Sequence, residues 1–238
     1  MNKSMCEKNI KDEWDPTANR FVAYIDIMGF KDMVAKLKHE EIYNIMKRIN
    51  ERRKFNEKII WLGEDKKLVR TTFYSDSIMI YSKDKSVDSF HELAIVVSAF
   101  TSDLFTEGIP HKGAIAFGEM TLDNDKSIFF GQPLIDAYLL QEELYFYGII
   151  IHASAEKEIE KNPDSDGKRF TKNYLCPLKP NGNANHLTIF PLYSQDNSES
   201  EILLLSIKKL RFNTSGILRK YIDNTESYLN FVKKELKQ

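Results

Sequence analysis

The stretch Phe21-Val22-Ala23-Tyr24-Ile25-Asp26-Ile27 sets the problem this chain has to solve. It is short, β-rich and apolar at every position but one, the pattern of a strand buried on both faces of a sheet. The exception is Asp26. An ionised carboxylate buried without a partner costs at least several kcal/mol, so a compensating charge must sit beside it. A buried Arg or Lys would serve, and so would a divalent cation.

The rest of the chain order says what surrounds that strand. A helical stretch follows Gly29, and Ile42, Ile45, Met46 and Ile49 recur at the spacing of one helix face among Lys, Arg and Glu. Leu68 to Thr72 and Ile78 to Tyr81 read as strands joined by the tight polar connection Tyr74-Ser75-Asp76-Ser77, a hairpin with an acid at its tip. Leu93, Val96, Val97, Phe100 and Leu104 form a second helical stripe that ends at Gly108. Gly113 to Gly118 reads as a strand whose small residues admit a close neighbour, Gly131 and Pro133 open a third helix, and Ile149 to Ile151 form another strand. The order β, α, β, β, α, β, α, β describes an α+β sandwich, an antiparallel or mixed sheet with helices on one face. Further on, 162–167 and 181–185 read as loops and Glu201 to Ser206 as a strand. Leu218, Tyr221, Ile222, Thr225, Leu229, Val232 and Leu236 give a final helical stripe, packed on the core or on a partner subunit.

Composition narrows the function classes. Thirty-four basic against thirty-five acidic residues give a net charge of -1, which excludes the broad positive surface that duplex nucleic acid demands. Any anionic ligand is therefore held locally. Two cysteines, Cys6 and Cys176, make neither a disulfide framework nor a thiolate cluster, no run approaches the roughly 20 apolar residues of a membrane span, and residues 1–15 lack a secretion signal. The expectation is a cytoplasmic protein of one domain over 18–238, with a core at 20–152, an extension at 153–238 and a flexible segment at 1–17.

Asp76 sharpens the reading of Asp26. The hairpin and the first strand are expected to be neighbours, which brings two carboxylates close, and two such acids repel unless a cation lies between them. Mg²⁺ and Mn²⁺ favour oxygen ligands and use one or two carboxylates, leaving places for water and phosphate. The connection Ile27-Met28-Gly29-Phe30-Lys31 can turn backbone N–H groups toward a phosphate at a helix start. Thr72 and Tyr74 alternate with Asp76 and are candidates for base contacts, ordinary packing being the other reading of Tyr74. His111 and His152 have no spaced His or Cys partner and read as surface or satisfied histidines.

Here the sequence resembles the class III nucleotide cyclases, whose first strand ends in a D-I-x-G-F pattern and whose next hairpin carries the second metal aspartate. In this chain these are Asp26-Ile27-Met28-Gly29-Phe30 and Ser75-Asp76-Ser77. A closer resemblance, across residues 20–145, is to the pyrimidine cyclases of bacterial Pycsar anti-phage defence, carried by Tyr24 to Phe30, Phe73 to Ile78, Lys112 to Ile115 and Gly131 to Tyr138. The resemblance implies a ferredoxin-like, palm-type α+β catalytic domain, a central mostly antiparallel sheet covered by helices with a C-terminal extension. It implies conversion of UTP or CTP to 3′,5′-cyclic UMP or cyclic CMP and pyrophosphate, the product acting on a separate effector. Two divalent ions, Mn²⁺ or Mg²⁺, would be held by Asp26, Asp76 and the Ile27 carbonyl, with the amides of Met28, Gly29 and Phe30 toward phosphate. A homodimer with shared active sites is also implied.

The departures are informative. Purine cyclases carry a base-reading Lys where this chain has Thr72 and an acid where it has Ile128, which argues against ATP. The Asn and Arg that steady the transition state are replaced by Ile135 and Leu139. Lys112 is the candidate for the missing positive charge, a solvated strand-end lysine being its other reading. A purine cyclase and a nucleotide-binding regulatory module without turnover are the competing functions.

Overall fold

The structure is a computed structural model that describes residues 14–60, 67–123, 126–162, 166–180, 182–191, 197–212 and 214–235. Cys6 and most of the N-terminal segment, 163–165 and Asn181 of the expected loops, and Leu236 of the last stripe lie outside the described residues.

Strand β1 (Thr17–Ile27) is followed by helices α1 (Phe30–Lys36) and α2 (His39–Ile60), the hairpin β2 (Val69–Tyr74) and β3 (Ser77–Ser82), and α3 (Val87–Thr106). Then come β4 (His111–Asp123), β5 (Ile128–Gly131), α4 (Gln132–Glu143), β6 (Gly148–Ile151) and α5 (Ala153–Glu160). The chain closes with β7 (Thr171–Leu178), β8 (Gly182–Ile189), α6 (Asn197–Arg211) and α7 (Gly216–Glu235). The strands form one sheet in the order β2-β3-β1-β4-β6-β8-β7, with β5 on β4. Among the described residues only β4 and β6 pair in parallel. This is the expected α+β class with a mostly antiparallel sheet.

Alternation along β1 decides which core each residue enters. Phe21, Ala23, Ile25 and Ile27 join a core with Ile49 of α2, the α3 stripe and Ile159 of α5. Burying each large apolar side chain of that stripe contributes about 1.5–3 kcal/mol. Ser86 starts α3 by accepting a hydrogen bond from the Ser89 amide at 3.2 Å. Val22 and Tyr24 face the other way, against Leu134 and Tyr138 of α4. Helices therefore lie on both faces, and the expectation of helices on one face is corrected: Ala137 of α4 packs with Ala114 and Ala116, whose small side chains let the helix sit close.

The C-terminal third departs most from expectation. Glu201 to Ser206 is not a strand but part of α6, because Leu203 and Ile207 are buried one helical turn apart while Leu205 is exposed. Residues 183–185, expected in a loop, belong to β8. The final stripe lies in α7, with Tyr221, Ile222, Thr225, Leu229 and Val232 buried, whereas Leu218, expected in the same stripe, is exposed in the first turn. No helix among the described residues is long and apolar enough to cross a membrane.

His111, at the start of β4, is fully buried, its Nδ1 on the Ile109 carbonyl at 2.9 Å and its ring 4.6 Å edge-on to Phe105. Its Nε2 is buried without a partner, and burial pushes the ring down to about 4 from 6.5. The unfolded chain therefore takes up this proton first, so stability falls as pH drops from about 6.5 towards about 4. Urea midpoints should show wild type losing about 3 kcal/mol more than His111→Phe over that range; an identical pH dependence in both would contradict this.

Candidate active site

The register places the predicted residues on one grid. Asp26 pairs with Ser77 on one side and Lys112 on the other, and Ser77 pairs with Tyr74. Direct cross-strand partners project to the same face, so Tyr74, Ser77, Asp26 and Lys112 form one row on the α4 side of the sheet. The adjacent row is Thr72, Met79, Tyr24 and Ala114. The shared face expected for Thr72, Tyr74 and the acids is observed for Asp26 alone of the two acids, because the chain turns at Ser75 and the strand alternation does not reach Asp76. Gly113 makes the crossing tight, since a Cβ there would stand 2.5 Å from the Tyr24 carbonyl.

Asp76 lies in the turn after Ser75, whose φ is 57°. Its carbonyl accepts the Ile27 amide at 2.9 Å, which ties the hairpin tip to the end of β1. The two acids feel each other. Burial raises the Asp26 carboxyl above the usual range, Lys112 pulls it down, Asp76 and Glu142 raise it further, and Lys179 lowers it. Among the described residues neither aspartate is in an ion pair, although a buried cation was one expected partner for Asp26. Arg20, buried on the same face of β1 but six residues from Asp26 and out of its reach, donates to the carbonyls of Asp15, Ser82 and Lys83.

Lys112 is not a solvated strand-end lysine. Its side chain is 5% exposed and its ammonium lies 2.8 Å from the carboxylate of Glu142, which is 51% exposed at the end of α4. The Met28 amide donates to the Pro110 carbonyl at 2.9 Å, which corrects its expected place among the phosphate donors. The amides of Gly29 and Phe30 open α1 and have no partner within a helix. Gly29 holds a φ of 77°, a conformation glycine adopts without strain. The Ile27 and Phe30 side chains are spent on the core. Thr72 Oγ1 is 3.1 Å from the Tyr81 hydroxyl, and Tyr74 is 78% exposed.

Beside the acids lies a cavity of about 340 Å³ lined by Tyr24, Tyr74, Ser77, Met79, Leu134, Ile135 and Tyr138. The Tyr24 hydroxyl meets Ser77 Oγ at 2.5 Å, and the Tyr24 and Tyr138 rings pack edge to face at 5.4 Å. Ile135 and Leu139 are exposed on α4, and Ile128 on β5. Sequence reasoning missed Ser77, Glu142 and Lys179. Ser77 was within reach from its alternation along β3, whereas the two others arrive from distant segments without a local signal. His152 caps α5 and His111 is core, so neither belongs to the site.

The donor set suits a hard divalent ion. No cluster of three or more His, Cys, Asp or Glu is assembled among the described residues, so any ion here rests on Asp26, Asp76, backbone oxygen, water and ligand oxygens. Asp26 is raised by burial and by Asp76 in spite of the opposing pull of Lys112 and Lys179, a setting in which an added cation would favour the ionised acid.

No model of a known protein family matches the chain, and no curated protein does. Solved structures do. The catalytic core of a rhodopsin-guanylyl cyclase with converted specificity, in complex with ATPαS, is 13% identical at a TM-score of 0.50, covering 75% of this chain and 98% of that one. The non-canonical dimeric guanylyl cyclase domain of a RhoGC fusion protein from the aquatic fungus Blastocladiella emersonii is 10% identical at a TM-score of 0.50, covering 76% and 99%. The fold of this chain is that of class III nucleotide cyclase catalytic domains.

An acid held above its unfolded value by burial weakens the fold at neutral pH. Asp26→Asn should therefore melt about 2 °C or more above wild type in metal-free buffer at pH 7, the gain fading as pH falls to where both side chains are neutral. A lower melting temperature for the variant would show that Asp26 is compensated from within the chain.

Proposed function

We propose that this protein is a pyrimidine nucleotide cyclase, converting UTP or CTP to the 3′,5′-cyclic monophosphate and pyrophosphate, a second messenger for anti-phage defence. The observation that carries the reading is the row Tyr74, Ser77, Asp26 and Lys112 with Asp76 at the turn beside it. Asp26, Asp76 and the Ile27 carbonyl would hold two Mg²⁺ or Mn²⁺ ions, which when bound lower the pKa of the ribose 3′-hydroxyl and offset phosphate charge. The amides of Gly29 and Phe30 would donate to phosphate, and the Lys112 ammonium would offset charge on the leaving pyrophosphate. The 3′-oxygen bonds to the α-phosphorus as the bond to pyrophosphate breaks in line, so the chain's task is to hold those atoms aligned.

The base has an aromatic place to sit. Tyr24, Tyr74 and Tyr138 offer stacking faces in the cavity, and the hydroxyls of Ser77, Tyr24 and Thr72 lie on the same face to read a base edge. The fold fits a purine cyclase equally; what favours a pyrimidine is Thr72 and Ile128 in place of the purine-reading Lys and acid. The exposed Ile135 and Leu139, in place of the Asn and Arg, are what favours a binding module without turnover. With Tyr138 they also form an apolar strip on α4 that suits a homodimer with shared sites.

Purified protein with Mn²⁺ and each of the four ribonucleoside triphosphates should yield cyclic UMP or cyclic CMP. A purine product would move the assignment to the purine cyclases, and no product to a binding module. Asp26→Asn and Asp76→Asn should each lower turnover by over about a thousandfold, and near-wild-type rates in either would refute their role. Sedimentation velocity should show a dimer, and a fully active monomer would contradict shared sites.

A further inference from the structure

Lys112 stands directly across from Asp26 yet points its charge elsewhere. A buried ammonium needs a counter-ion, and Glu142 supplies it at 2.8 Å from a helix end where its own side chain is half in water. The same acid is gripped twice more, its carboxylate by Gln141 Nε2 at 2.9 Å and its backbone carbonyl by Lys179 Nζ at 2.7 Å. Lys112 is the cross-strand partner of Asp26 and Lys179 meets it at Glu142, so the three groups gather beside that acid. Two lysines thus converge on one residue at the edge of a site read here as binding a triphosphate, and this inference rests on that reading.

We propose that Glu142 is a positioning residue that stands in for phosphate: in the ligand-free chain its carboxylate fills the anion place beside Lys112 that a triphosphate oxygen takes on binding. The geometry suits an exchange rather than a fixed strut. Lys112 is the more confined partner, its backbone held in the sheet and its side chain 5% exposed. Glu142 is the movable partner. Its half-exposed carboxylate can return to solvent from the last turn of α4, and the buried ammonium it leaves keeps a counter-ion only if another anion takes the same place. A triphosphate presents several anionic oxygens to the three ammonium donors and displaces it. The pair also keeps Lys112 from collapsing onto Asp26, which would neutralise the acid needed for the metal.

The test is calorimetric binding of inorganic tripolyphosphate, at fixed Mn²⁺, to the full chain. Glu142→Gln should bind about three- to tenfold more tightly than wild type, Glu142→Asp should fall between them, and the gain should vanish in the Lys112→Met background. With a cyclised nucleotide, the same factor should show in KM rather than in kcat, a split that a purely structural change would not give. Equal or weaker binding by Glu142→Gln, or a gain that survives Lys112→Met, overturns the proposal. If no nucleotide is cyclised but the tripolyphosphate gain is seen, the enzymatic reading fails and the anion exchange stands. If cyclisation occurs without the gain, only the exchange fails.

Discussion

A single carboxylate in the middle of a sheet organises this protein. Asp26 sits on the central strand between Ser77 and Lys112, raised by burial and by a second acid that the hairpin turn delivers to the same end of β1. Such a placement is costly unless a cation joins it. Lys112, the basic residue paired directly across from Asp26, gives its ion pair to Glu142. Lys112 and Lys179 offset part of the cost, and the proposed metal and polyphosphate would supply the rest.

The C-terminal elements keep that arrangement in register. Segment 144–147 joins α4 to β6, and α7 staples it: Thr225 Oγ1 accepts the Tyr147 amide at 2.8 Å and Asn224 donates to the Tyr145 carbonyl at 2.7 Å. Tyr228 adds a hydrogen bond to the Ile189 carbonyl at 2.9 Å, linking the same helix to β8. The end of α4, where Glu142 sits, is thereby fixed against the sheet from below while its side chain stays half exposed. Lys179 reaches the same point from the turn after β7. A part of the chain that has no place in the catalytic motifs thus shapes the charge balance around Asp26.

What could be read in the sequence follows from how local each signal is. β1 declared itself as an unbroken apolar run buried on both faces, the β2–β3 hairpin as two β-prone runs around a polar turn, and α3 by the clean period of its one buried face. The short β5 has no such period, and β7 and β8 carry polar residues on both faces, so neither stood out. α6 misled because adjacent leucines imitate a buried strand, although only Leu203 and Ile207 enter the core fully. At the site, both aspartates and the turn glycine were legible from residue type and order. The Lys112–Glu142 contact was not, since it joins a strand to a helix end thirty residues on and depends on the tertiary fold.

The central claim is that Asp26 and Asp76 share divalent cations. Soaking crystals of the protein with Mn²⁺ and a non-hydrolysable nucleoside triphosphate, and collecting at the manganese absorption edge, addresses it most directly. The account predicts anomalous peaks within ligand distance of both carboxylates and of the triphosphate. Peaks elsewhere, or two aspartates turned apart with no metal between them, would contradict it.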